Sequence, residues 1–66
     1  MDTKQMILDT ALDMFSRRGF SAVSVRDISY AVGVKESALY KHFKNKKAVF
    51  DSLILTYNDM SRAYME

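Results

Sequence analysis

Sixty-six residues without a cysteine or a proline, and with a single histidine, make one small domain at most. A chain this short buries only ~60% of its unfolded surface, so its core is marginal, and neither a disulfide nor a thiolate metal site can reinforce it. One histidine alone also argues against zinc. No apolar run approaches the ~18 residues a bilayer span requires. The opening "MDTKQMILDT" lacks the uninterrupted apolar centre of a signal peptide, so the sequence reads as a soluble, cytoplasmic chain with no membrane partner.

The net charge of +2 hides an asymmetry. Residues 1–16 carry one basic against three acidic side chains, a net of −2, and residues 48–66 repeat that balance. Residues 17–47 carry eight basic side chains against Asp27 and Glu36, a net of +6. A cationic middle between acidic ends points to an anionic partner for the middle, unless it is an ordinary solvated face.

In chain order, Ile7, Leu8, Ala11, Leu12, Met14 and Phe15 recur with a helical period, predicting a helix over about 3–18. Asp2 and Gln5 resemble a capping box. Gly19 suits a left-handed stop, with Phe20 folding back as its hydrophobic contact. After the loop "SAVS", Ser24 and Asp27 form a second capping signature that opens "VRDISYAV". Val25, Ile28 and Val32, with Ala31, make a short inward stripe there, and Gly33, free to adopt positive φ, closes the helix. A weakly capped third helix is expected over about 35–42, with Ala38, Leu39 and Phe43 inward. Asn45 caps a long last helix from Lys46, whose stripe runs through Val49, Phe50, Leu53, Ile54, Tyr57, Met60 and Tyr64. No segment alternates as a strand would. The fold is expected to be all-α, with a core of Ile7, Ala11, Phe15, Phe20, Ile28, Leu39, Phe43, Val49 and Phe50.

The two short helices joined by "YAVGVKE" have the dimensions of a helix-turn-helix. Ala31 is small enough to let the helices approach, Gly33 permits the turn, and Val34 plugs the angle between them. A second helix held in this way fits the major groove. Spacing alone leaves an ordinary helical bundle equally open.

The stretch "RGFSAVSVRDISYAVGVKESALYKHFKNKKAVFDSL" goes further. Gly19-Phe20 ends the first helix, Ser24 to Ile28 opens the second, and Gly33-Val34 makes the turn. Leu39-Tyr40 and His42-Phe43 end the third, and Lys44-Asn45-Lys46 starts the fourth. In this order the residues resemble the N-terminal DNA-binding domain of TetR-family transcriptional regulators. The resemblance implies a three-helix head over residues 1–47 and a fourth helix, 46–66, leading toward a C-terminal domain that this sequence lacks. It also implies a homodimeric repressor on an inverted-repeat operator in double-stranded DNA, with a small-molecule inducer held by that C-terminal domain. The exposed apolar residues expected late in the chain, Leu55, Tyr57, Met60, Tyr64 and Met65, fit a missing partner surface or plain surface irregularity.

Carried onto this sequence, the family arrangement implies phosphate contacts from Ser24, Tyr40, His42 and Lys46. Ser24 is also a helix cap, Tyr40 could be half-buried packing, and His42 could cap the end of the third helix. Lys46 would offer both its charge and the helix dipole. Lys44 and Lys47 supply diffuse charge or are merely solvated. Base reading falls to the outward face: Lys35, Glu36, Ser37 and Lys41. Arg26 could reach a guanine or a phosphate, or pair within the turn of Asp27. Lys41 can donate to guanine, Glu36 can accept from cytosine N4, and Ser37 can bond several bases. Glu36, Ser37 and Ala38 depart from the Lys, Gly and Thr common in the family, so its base preferences do not transfer. A carboxylate facing DNA lowers nonspecific affinity and can reject wrong sites. No cofactor is implied. An enzyme is the remote reading, since no carboxylate pair, nucleophile-base pair or phosphate-binding glycine loop is present. The nearer alternative is a helical protein-interaction module, or a remnant that no longer binds DNA, using the same basic face.

Overall fold

The structure is a computed structural model that describes residues 2–65, with side chains described for residues 2–56. Four helices follow one another: α1 (Thr3–Arg18), α2 (Val25–Val32), α3 (Glu36–Tyr40) and α4 (Lys46–Met65). Among the described residues everything outside them is turn, bend or loop, as the all-α reading expects. None of the helices searched is long and apolar enough to cross a membrane.

Helix α1 starts on Asp2, whose Oδ1 accepts from the Gln5 amide at 2.7 Å. Only half of the expected box forms, because the Gln5 side chain donates forward to Asp9 Oδ1 at 2.9 Å instead of back to the cap. At the other end the Gly19 amide donates to Phe15 O, and Gly19 has φ 84° with ψ 155°. The φ is positive as expected, but the ψ lies outside the left-handed helical region, in a conformation essentially restricted to glycine. The chain therefore leaves α1 extended. Phe20 still folds back, its ring 5.3 Å from that of Phe15 and 5.0 Å from that of Phe50.

Helix α2 is bounded at both ends by local hydrogen bonds. The Asp27 amide donates to Ser24 Oγ, and the Ser24 amide donates to Asp27 Oδ2, both at 3.0 Å, completing the capping box. At its C-terminus Gly33 is left-handed (φ 89°, ψ 28°). The Gly33 amide donates to Tyr30 O at 3.2 Å and the Val34 amide to Ser29 O at 3.0 Å, the paired bonds of a Schellman stop. The role given to Ala31 needs correction. Ala31 is exposed, and the small residue buried on this helix is Ser29. Its hydroxyl donates to Arg26 O at 3.0 Å, so burying it strands no polar atom.

Helix α3 is shorter than the expected 35–42. Lys35 caps it without a side-chain bond, and Lys41 and His42 fall in the turn that follows. That turn keeps helical bonding, with the His42 and Phe43 amides both donating to Leu39 O, and so delivers Phe43 to the core. Asn45 Oδ1 then accepts from the Ala48 amide at 2.8 Å and opens α4.

The core gathers Ile7, Ala11 and Phe15 of α1, Ile28 of α2, Leu39 of α3, Phe43, and Val49 and Leu53 of α4, together with Val23 from the α1–α2 loop. Each large aliphatic side chain fully buried here contributes roughly 1.5–3 kcal/mol. The core gains Val23 and Leu53 over expectation and loses Phe20 and Phe50. Val23 is 1% exposed although it lies in a loop with no period to mark it, and Phe20 and Phe50 are half-buried at the rim. Ile54 and Leu55 of α4 are exposed, Leu55 at 65%. The side chains of Tyr57, Met60, Tyr64 and Met65 lie outside the described residues.

Candidate nucleic-acid interface

The capping box and the Schellman stop fix both ends of α2, and Leu39 and Phe43 seat α3 on the core. The N-terminal ends of α2 and α3 thereby meet at one open depression of about 450 Å³. Its wall includes Ser24, Arg26, Glu36, Tyr40 and Lys46. Five of the nine residues expected at the site are thus brought together from three helices and a cap. The other four, Lys35, Ser37, Lys41 and His42, are exposed but lie outside this depression.

Each side chain has a definite local situation. Ser24 is a cap, as one reading held, and its Oγ accepts from the Asp27 amide. A hydroxyl that accepts still has its own hydrogen to donate. The Asp27 carboxyl is held below its ordinary value, first by the Ser24 backbone amide that donates to it and then by the Ser24 hydroxyl dipole beside it, with the nearby Arg18 and Arg26 charges adding to the effect. Asp27 is therefore committed to the cap.

Arg26 does not pair within the turn of Asp27. Its Nε lies 3.4 Å from Glu36 Oε1, across from α2 to the first residue of α3. Tyr40 is 48% exposed, and among the described residues its hydroxyl has no protein partner, so it is free to bond outward.

Lys46 is the residue least legible in the sequence. It is half-buried, and its Nζ donates to Phe20 O at 2.8 Å while lying 4.1 Å from the centre of the Phe20 ring. An ammonium has three donors, so two remain beyond the bond to Phe20. Lys46 is consequently part of the scaffold as well as a cation on the wall of the depression. Arg18 plays a related part that the sequence reading missed, since its Nη2 donates to Ala22 O at 3.3 Å. Two cations thus hold the α1–α2 loop through its carbonyls. No periodicity or capping rule signals such bonds.

Known proteins resemble this chain over most of its length. Residues 7–53 match the family described as bacterial regulatory proteins, tetR family. The chain is 44% identical over 52 residues to the HTH-type transcriptional regulator AcrR of Shigella flexneri, an alignment covering 79% of this chain and 24% of that protein. It is 33% identical over 51 residues to IcaR of Staphylococcus aureus, the HTH-type negative transcriptional regulator of the biofilm operon icaADBC, covering 77% of this chain and 27% of that one. Among solved structures, the ketosteroid transcriptional regulator KstR2 of Mycobacterium tuberculosis superposes with a TM-score of 0.75 at 36% identity. That superposition covers 79% of this chain and 26% of the other. The chain spans about a quarter of the length of the curated relatives it matches. With 47 of its 66 residues inside the family match, the chain belongs to the tetR family of bacterial regulatory proteins and carries that family's N-terminal helix-turn-helix DNA-binding domain.

Proposed function

We propose that this chain reads double-stranded DNA by laying the segment from Lys35 to His42 in the major groove and clamping the flanking phosphates from the rim of the depression. Ser24 donates its hydroxyl hydrogen to one phosphate and Tyr40 its free hydroxyl to another. His42 meets the backbone beyond the end of α3, and Lys46 meets it at the start of α4. Lys35, Ser37 and Lys41 present donors to base edges, Glu36 presents an acceptor, and Arg26 bridges from the front of α2. Lys44 and Lys47 add long-range attraction. The observation that carries this reading is the convergence of Ser24, Arg26, Glu36, Tyr40 and Lys46 on one open face within the most basic part of the chain.

The same reading extends to the whole protein. Residues 1–47 form the DNA-binding head, and the fourth helix leads toward a C-terminal domain that pairs two copies and holds an inducer. The paired heads occupy an inverted-repeat operator in the cytoplasm and repress transcription. Two heads on one face of the duplex need half-site centres about 34–36 Å apart.

Amide chemical-shift mapping tests the interface. Titration with a random-sequence duplex is expected to shift residues 24–26 and 35–46 while leaving the first half of α1 still. Shifts confined to α1, or to α4 beyond Leu53, would refute this placement.

A further inference from the structure

Resting on the DNA-binding reading above, we propose that Arg26 and Glu36 act as one unit. In it Arg26 neutralises a carboxylate at the DNA-facing rim, and Glu36, so neutralised, selects cytosine. The stretch 17–47 contains only two carboxylates, Asp27 and Glu36. Asp27 is occupied with the Ser24 cap. Glu36 is the first residue of the helix that enters the groove, and an unpaired carboxylate there would oppose phosphates on either side. The nearest cation that the structure sets against it is Arg26, at 3.4 Å, reaching across from the other helix of the motif.

This pair contributes little to the fold. The Arg26 side chain is 84% exposed and that of Glu36 45%, and ion pairs so open to water are worth little. Its effect lies in what happens when a duplex displaces that water. Arg26 uses Nε toward Glu36 and keeps its terminal nitrogens for a phosphate, since a guanidinium presents five donors in a fixed fork. Glu36 uses one oxygen toward Arg26 and keeps the other to accept from cytosine N4 in the major groove. Losing water strengthens both contacts together, so the two residues should behave non-additively on DNA while being nearly independent in the free protein.

The test is a double-substitution cycle on the 66-residue chain with Arg26→Gln, Glu36→Gln and the pair combined. Binding to a labelled random-sequence duplex is measured by fluorescence anisotropy, with thermal melts confirming that each variant is folded. On this random-sequence duplex, where no cytosine is fixed opposite it, Glu36→Gln alone should raise affinity only a few-fold, because the carboxylate it removes is already paired with Arg26. Arg26→Gln should weaken binding by more than about tenfold, and adding Glu36→Gln to it should recover roughly tenfold, a coupling within the range of contacting residues. The same factor for Glu36→Gln in both backgrounds would overturn the pairing while leaving DNA binding intact. No binding by the unsubstituted chain would overturn the DNA-binding reading and the pair with it. In a selection from randomised duplexes the unsubstituted chain should enrich cytosine at one position and Glu36→Gln should lose that enrichment. Identical selected sequences would show that Glu36 does not determine specificity.

Discussion

Replacing Lys46 by methionine separates scaffold from interface, because it keeps most of the stem and removes only the ammonium. Two interactions go: the hydrogen bond from Nζ to Phe20 O at 2.8 Å and the contact with the Phe20 ring at 4.1 Å. A hydrogen bond with a charged donor is worth about 1.5–3 kcal/mol, and a cation over an aromatic ring about 0.5–1 kcal/mol when not fully desolvated. Lys46 is only half-buried, which favours the low end of both ranges and a net cost of about 2 kcal/mol. A 66-residue domain holds only roughly 3–10 kcal/mol in total, so that loss is a large share. It should lower Tm by roughly 8–16 °C in a thermal melt followed by circular dichroism. A Tm within about 2 °C of the parent, well inside the spread expected for a neutral surface change, would mean that the lysine does not hold the Phe20 carbonyl in solution. Any DNA measurement on a Lys46 variant therefore belongs well below its Tm, where a lost phosphate contact is read from the salt slope rather than from affinity alone.

Other substitutions probe other parts of the frame. Phe43→Ala empties a site that is 4% exposed at the junction of α3 and α4. At a cost of about 3–5 kcal/mol it should abolish the cooperative melt, and a transition close to the parent's would contradict its place in the core. Gly33→Ala adds a methyl that meets nothing within 4 Å, so its cost is that of the left-handed backbone alone. That cost is about 1–2 kcal/mol in a urea titration; a stability equal to the parent's would show that the stop does not need glycine. The Asp27 carboxyl is held below its ordinary 3.8, so it stabilises the fold above that value and the contribution disappears as pH falls through it and below. Urea titrations should find Asp27→Asn less stable than the parent near neutral pH, with the gap closing below about pH 4. A gap independent of pH would contradict the charge-based part of the cap.

How far these features could be read from the sequence depended on their range. Ser24 with Asp27, Asn45 with Ala48, and the glycine at 33 are contacts within a few residues, and capping chemistry identifies them. The apolar period places Ile7, Ala11 and Phe15 inward because a helix repeats its faces regularly. Val23 escaped because it is buried from a loop, where no period exists. Ser29 and Ala31 are both small, and stereochemistry alone does not say which of them is buried. The Phe20–Lys46 bond spans 26 positions, and the Arg26–Glu36 pair crosses the motif, so each depends on how the helices pack. Those long-range contacts are also what distinguish this site from a generic basic face.

The most direct test of the DNA-binding face is the salt dependence of affinity for a random-sequence duplex, measured by anisotropy on the folded 66-residue chain. The two cations placed on phosphates, Arg26 and Lys46, predict that the logarithm of the association constant falls linearly with the logarithm of salt at a slope of about −2, steeper where Lys44 and Lys47 also neutralise phosphates. Binding whose strength stays flat as salt rises would contradict it, and would assign the basic face to a partner other than nucleic acid.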